Sequence, residues 1–293
     1  MEWLRVIVAS IREIKNKINS IKSTQKITRA MEMVAASKMR RAQDRMFASR
    51  PYVACLRKVI AHLTQRKLDY DHPYLKTREV KRIGVIVVAT DKGLCGGLNT
   101  SLFRVALERI QQWETKQIAV ELCTFGAKAE LFFHRTKVKV IAGASFLGDY
   151  PKAKTIIGPV KILLDAYEAN KLDQIFFIYN EFVNTMSQVP QVEMLLPIIN
   201  NQPVGGKIAS DYLYEPNPVM LLDMFLQRYI ESLVYQGIVE NVACEQAARM
   251  VAMKSASDNA GELIDAFQLM YNKERQAAIT TEISEIVAGA AAV

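Results

Sequence analysis

The sequence predicts an α/β protein whose two long terminal helices flank a central domain built on a largely parallel sheet. Three observations predict it. All nine prolines lie between Pro51 and Pro218, leaving Ser10 to Arg50 and Val219 to Val293 free of them. Ten of the thirteen glycines fall between Gly84 and Gly206, and none comes earlier. Between the arms, apolar runs of strand length alternate with helix-like stretches.

Proline removes a helical hydrogen bond and clashes with the preceding turn, so its absence from the two arms permits unusually long helices; they are expected over residues 10–66, continuing past Pro51, and 219–293. At 1.5 Å per residue the proline-free arms could reach roughly 60 and 110 Å, against about 40 Å for a compact domain of the intervening length. The arms are therefore expected to lie against each other as a rod.

In the first arm Ile11, Ile14, Ile18 and Ile21 alternate spacings of three and four, a coiled-coil seam. The same register continues through Gln25, Thr28 and Glu32, so the helix changes what it touches there. Beyond this come small residues mixed with Met31, Met33, Met39 and Met46, soft enough for another surface to approach and repack. The commoner role of such methionines is to fill an irregular helix-pair seam.

Strands are expected over residues 82–90, 118–125, 137–143 and 174–182, with helices over Ser101 to Trp113 and Ile156 to Asn170. Residues 189–198 add an edge strand, because they carry prolines. The central domain thus spans residues 80–200, and residues 201–218, rich in Asn, Gly and Pro, read as a linker. The second arm carries an apolar stripe through Leu222, Leu226, Tyr229 and Leu233, then Ala243, Ala247 and Met250, and later Ile264 and Tyr271.

The formal charge of +8 is unevenly placed. Residues 10–50 hold eleven Lys/Arg against three Asp/Glu, and residues 219–293 hold five against ten. Opposite signs favour pairing of the arms, and the surplus on the first calls for an acidic partner. A nucleic-acid binder is one class that fits, although aromatic residues for stacking are nearly absent from the first arm. Cys55, Cys95, Cys123 and Cys244 are far apart and no histidine stands at a metal-ligand spacing, so no metal site or disulfide framework is indicated. No apolar run is long enough to span a bilayer.

The segment Asp91 to Asn99 is glycine-rich and sits between a strand and a helix, where phosphate-binding loops occur. It lacks the GxxxxGK[ST] spacing and is not GxGxxG, and nothing downstream supplies an obvious general base or ribose-binding acid. A tight turn needing positive φ and close backbone packing explains it without a ligand. A nucleotide-binding enzyme is therefore the weaker reading of the central domain, and no catalytic, cofactor or metal residue is assigned.

Three ordered segments carry a resemblance: IREIKNKINSIKSTQKITRAMEMVAASKMRRAQDRM (11–46), TDKGLCGGLN (90–99) and NKERQAAITTEISEIVAGAA (272–291). Together they resemble the gamma subunit of bacterial F-type ATP synthase, over nearly the whole chain from about Ser10 onward. The resemblance implies a long antiparallel coiled coil of the terminal helices plus a central Rossmann-like α/β domain. It makes residues 1–9 an expected non-native or frayed leader. It implies a non-catalytic rotor, with no cofactor, that couples rotation of the membrane c ring to conformational change at the beta subunits. The implied partners are the alpha3 beta3 hexamer, the epsilon subunit and the c ring, with no nucleic acid, at the cytoplasmic face of the bacterial inner membrane. Contacts with beta are expected from Met31, Arg275, Gln276, Thr280 and Glu282, and a basic face toward the hexamer from Lys22, Lys26, Arg29, Arg40 and Arg41. Tyr212, Tyr214 and Glu215 are expected at the foot near epsilon and the c ring.

Overall fold

The computed structural model describes residues 2–65, 72–198 and 218–291. Its elements run α1 (Glu2–Gln65), a 3-10 turn (Pro73–Leu75), β1 (Arg82–Val88), α2 (Leu98–Thr115), β2 (Ala119–Phe125), α3 (Ala127–Phe133), β3 (Lys139–Ala144), α4 (Ala153–Glu168), β4 (Gln174–Phe182), β5 (Gln188–Leu196) and α5 (Pro218–Ala291). The chain divides into two compact units, Met1–Ala35 with Met250–Val293, and Ala36–Arg249.

Two prolines lie inside helices, within the spans expected over residues 10–66 and Ile156 to Asn170. Pro51 lies inside α1 and Pro159 inside α4. Pro51 is exposed, so the carbonyl that loses its helical partner does not have to be buried without one. Pro218 opens α5, at the one helical position where a missing N–H costs nothing.

In the unit of residues 36–249, five strands form one sheet in the order β3-β2-β1-β4-β5. β1, β2, β3 and β4 pair in parallel, with Val85 opposite both Leu122 and Phe176, while β5 runs antiparallel to β4 at the edge. The edge position tolerates Pro190, whose missing donor would break a central strand. β1 is buried on both faces, which is why its sequence RIGVIVV is continuously apolar.

Side-chain alternation along β1 divides the core. Ile83, Val85 and Val87 pack with Leu102, Ala106 and Ile110 of α2 and with Ala129 and Phe133 of α3. Ile86 and Val88 face the opposite way, toward Val160, Leu163 and Tyr167 of α4. This second layer also takes Val53, Leu56 and Ile60 of α1 and Leu222, Leu226, Ile230, Val234 and Ile238 of α5. The short α3 has no counterpart among the expected elements, because seven residues give too little helical period to read. It starts where Gly126, at φ 91°, turns the chain so tightly that a side chain there would overlap the Ala89 carbonyl.

Candidate functional site

In the unit formed by the chain termini, α1 and α5 run antiparallel. Gln25 Nε2 donates to the Ser257 carbonyl at 3.2 Å, and Ile14 and Ile18 pack on Ile264, with Ile21, Phe267 and Tyr271 around them. Thr28, Ala35, Met253, Ser257 and Ala260 are also buried in this unit. Further along α5, Ile279, Ile283, Ile286 and Val287 are all exposed, a patch of the kind that marks a protein-contact surface.

In the other unit, the crevice beyond the carboxyl ends of β1 and β4 is the topological switch point, where open α/β sheets ordinarily hold a ligand. Here α5 fills it. Cys244 packs with Cys95, Leu98, Phe182 and Ala248, and the Cys244 thiol lies 3.3 Å from the Asn180 carbonyl. One turn along, Arg249 donates to the Gly93 carbonyl at 3.0 Å and pairs with Glu245 at 2.6 Å. Burial pushes the Glu245 carboxyl above its ordinary range, while Arg249 pulls it back down. The glycine-rich loop thus turns its carbonyls to a guanidinium of its own chain. Leu94 and Gly96 take positive φ, 64° and 58°. Thr90 and Asn99 close the turn through the bond from Asn99 Nδ2 to Thr90 Oγ1 at 2.7 Å.

The neighbouring loops are braced as firmly. The Asp91 carboxylate accepts from the backbone N–H of Ala127, Phe146 and Gly148 at 3.0, 2.8 and 3.1 Å. Lys38 binds Asp149 at 2.6 Å, Gln246 donates to the same carboxylate, and the Arg45 guanidinium lies 3.9 Å over the Tyr150 ring. Glu240 accepts from the Phe182 N–H and from Arg50, both at 3.1 Å, and Asn180 donates to Asn241 at 2.9 Å. Burial pushes the carboxyls of Glu240 and Glu193 and the thiols of Cys95 and Cys244 upward, the last well above its usual value, so these thiols are protonated packing groups.

The family model described as ATP synthase matches residues 10–293. An ATP synthase gamma chain from Nitrosococcus oceani is 59% identical over 97% of this chain and 100% of its own length. The chain belongs to the ATP synthase gamma family. Among solved structures, the central stalk and c-ring of Tetrahymena thermophila mitochondrial ATP synthase contains a chain 27% identical, covering 79% of this chain and 99% of that one, with a TM-score of 0.57. A chain of the Euglena gracilis mitochondrial enzyme in an OSCP/F1/c-ring assembly, 21% identical, shares the fold with a TM-score of 0.64 over 97% of this chain and 94% of that one. A gamma chain is a rotor subunit and not itself catalytic; the ATPase is the complex. No described helix is long and apolar enough to cross a membrane.

Against this gamma-family frame the expected site residues fall into separate groups. Ile14 and Ile18 are buried in the helix seam, while Ile11 and Ile21 are half-buried. Lys22, Lys26 and Arg29 share one exposed face of α1 at i, i+4 and i+7 spacing. Arg40 and Arg41 are exposed in the other unit, where Arg41 donates to Ser37 Oγ at 3.2 Å. Met31 is half-buried. Arg275, Gln276, Thr280 and Glu282 are exposed on α5, with the Thr280 hydroxyl donating to the Gln276 carbonyl. Tyr212, Tyr214 and Glu215 lie outside the described residues. The residues that lock α5 to the sheet and its loops, Asn180, Glu240, Asn241 and Arg249, carried no sequence signal beyond polar residues interrupting apolar stretches.

Proposed function

We infer that this chain is the central rotor stalk of a proton-translocating F-type ATP synthase, coupling rotation of the membrane c ring to conformational change at the catalytic beta subunits. The observation that carries the reading is the similarity to a gamma chain from end to end, 59% identity with every residue of that relative covered. A single asymmetric stalk presents a different face to each of three beta subunits. Differential contacts then bias each site toward a different nucleotide affinity, and turning the stalk moves every site through the cycle.

Under this reading the exposed cations Lys22, Lys26, Arg29, Arg40 and Arg41 face acidic surfaces of the alpha3 beta3 hexamer. Met31, Arg275, Gln276, Thr280 and Glu282 touch beta, and Tyr212, Tyr214 and Glu215 meet epsilon and the c ring. The chain then sits at the cytoplasmic face of a bacterial inner membrane and touches the bilayer only through the c ring. Purification of the chain from native membranes tests the reading. A complex with three copies each of two larger subunits and one of this chain is expected. Recovery without them, or a steeply salt-dependent affinity for DNA in their place, would overturn it.

A further inference from the structure

A cavity of about 260 Å³ opens between α1, α5 and the β4–β5 pair at the sheet edge, in the unit of residues 36–249. Two opposite charges line it without touching. Arg57 is exposed on α1, and Glu193 is half-buried on β5. Burial raises the Glu193 carboxyl above its ordinary range, and the Arg57 guanidinium opposes the rise. Arg57 Nε donates to the Tyr229 hydroxyl at 3.1 Å, which fixes the guanidinium and leaves both Nη nitrogens without an acceptor among the described residues. Glu193 has neither a hydrogen-bond donor nor an ion-pair partner among the same residues. Gln236 of α5 lines the cavity too, and its Oε1 is buried with no donor. Buried polar atoms are nearly always bonded, so an orphan beside a cavity points to an occupant.

The charges select what kind of occupant fits. Arg50 pairs with Glu240 at 3.1 Å, and Glu181, which accepts from Gln191, acts on Glu193 together with Glu240. Hydrogen bonding leaves these carboxylates charged, so Arg50 and Arg57 stand against Glu181, Glu193 and Glu240. An anion alone meets three carboxylates, and a cation alone leaves the Nη edge of Arg57 unanswered. A dipolar molecule complements both sides. Val53, Leu233 and the Phe177 and Tyr179 rings, stacked 4.6 Å apart, add an apolar wall.

We propose that this cavity binds a free α-amino acid with a short aliphatic side chain, held as its zwitterion. Its carboxylate takes the paired Nη edge of Arg57, its ammonium takes Glu193 and Gln236 Oε1, and its side chain lies against the apolar wall. A guanidinium fork matches a carboxylate in bidentate fashion, and an ammonium carries three donors, enough for both acceptors. The volume falls just below that of drug-sized pockets, which suits so small a molecule. A chain terminus or a partner's side chain brings only one of the two charges. The occupant ties α1 to β5 beside the Arg50–Glu240 bond. Every group involved lies on this chain, so the proposal stands apart from the rotor reading.

The test is calorimetric titration of the full-length chain with L-leucine at pH 7. Saturable binding at one site is expected, with a dissociation constant of about 1 mM or tighter, the range open to a ligand of about nine heavy atoms. Three analogues should bind about tenfold more weakly or worse: 4-methylpentanoate, which lacks the ammonium, leucinamide, which lacks the carboxylate, and betaine, which keeps both charges without an N–H donor. R57M and E193Q should each weaken L-leucine by about tenfold or more, with Trp113 emission reporting that the unit remains folded, and Q236M carries the comparison if either variant does not fold. Absence of saturable binding means that the cavity holds only water, and overturns the proposal. Equal binding of leucinamide or 4-methylpentanoate overturns the zwitterion, and affinity indifferent to the variants places the site elsewhere and overturns it as well. Loss of the rotor reading, by recovery of the chain without the larger subunits, leaves all of these outcomes unchanged.

Discussion

Replacing Arg249 with Met removes one cation from a place where little water reaches its partner. The side chains of Arg249 and Glu245 are 10% and 12% exposed, and they meet at 2.6 Å. Breaking a buried pair from one side leaves an uncompensated charge, which costs about 3 kcal/mol, and the lost bond to the Gly93 carbonyl adds about 1. R249M is therefore expected to lose about 4 kcal/mol in the unit of residues 36–249. R249M/E245Q, which removes the stranded charge, should lose only about 1. Trp113 of α2, beside Phe176 of β4, reports on that unit alone in a W3F background. At a urea slope of about 2–3 kcal/mol per molar, the R249M midpoint falls by about 1.5 M and the double variant recovers most of it. The penalty also has a pH signature. Burial holds the Glu245 carboxyl above its ordinary 4.5, and losing Arg249 raises it further, so the folded state of R249M binds that proton more tightly than the unfolded state. The loss should grow as pH rises from about 4.5 through the raised folded value. A loss below about 1 kcal/mol, or additive single substitutions in the cycle, would refute the charge-burial argument.

Three further outcomes are expected. G237A places a methyl group into the edge of the Phe177 ring, which is stacked on Tyr179 at 4.6 Å between centroids. Overpacking outweighs the gain in helix propensity, giving a net loss of about 2 kcal/mol or about 4–8 °C in Tm, measurable by calorimetry, and an unchanged Tm would contradict the close approach. Burial holds Glu193 above its ordinary 4.5, with Arg57 opposing and Glu181 and Glu240 adding, so wild-type stability falls as pH rises through that window. The stability profile of E193Q should be flatter there, and parallel profiles would count against it. Arg29 and Arg41 are exposed, so R29E/R41E should change stability by no more than about 0.5 kcal/mol per site yet impair ATP-driven rotation in the reassembled complex; wild-type coupling would remove the electrostatic role.

The sequence shows the long helices and parallel strands plainly, because both rest on periodicity and on where helix breakers are missing. β4 matches the apolar run 174–182 residue for residue, and β5 takes the edge that Pro190 demands. The role of Asp91 was invisible by the same logic. Its carboxylate gathers amides from residues 36, 55 and 57 positions away, and no local pattern encodes such a meeting. Pro51 sits within the helix expected over residues 10–66, but a propensity rule cannot know why it is tolerated: the carbonyl it deprives lies on an exposed side of α1. The glycine-rich loop was legible as a turn, but not that Arg249, more than 150 residues away, would take its carbonyls.

The two units hold their helices by different chemistry, and the difference bears on torque. A helix that transmits rotation must not turn about its own axis within its mounting. Apolar contact is non-directional, so a helix held by it alone can exchange neighbours at small cost. Hydrogen bonds and ion pairs need a particular partner at a particular angle. Within residues 36–249, α5 directs Glu240 to the Phe182 amide and Arg50, Asn241 to Asn180, Gln246 to Asp149, and Arg249 to the Gly93 carbonyl. Those partners belong to α1, β4 and two different loops, so a rotation of α5 by one residue, about 100°, would strand all four groups at once. Burying them is costly, and what it secures is register. In the unit of the chain termini, by contrast, Ile14, Ile18 and Ile264 share an apolar seam, and Gln25 makes the one hydrogen bond between the helices among the described residues. Apolar packing suffices to keep two helices together. Fixing the rotation of α5 takes the polar lock, which is why Arg249 is a sharper probe of coupling than any residue of the isoleucine seam.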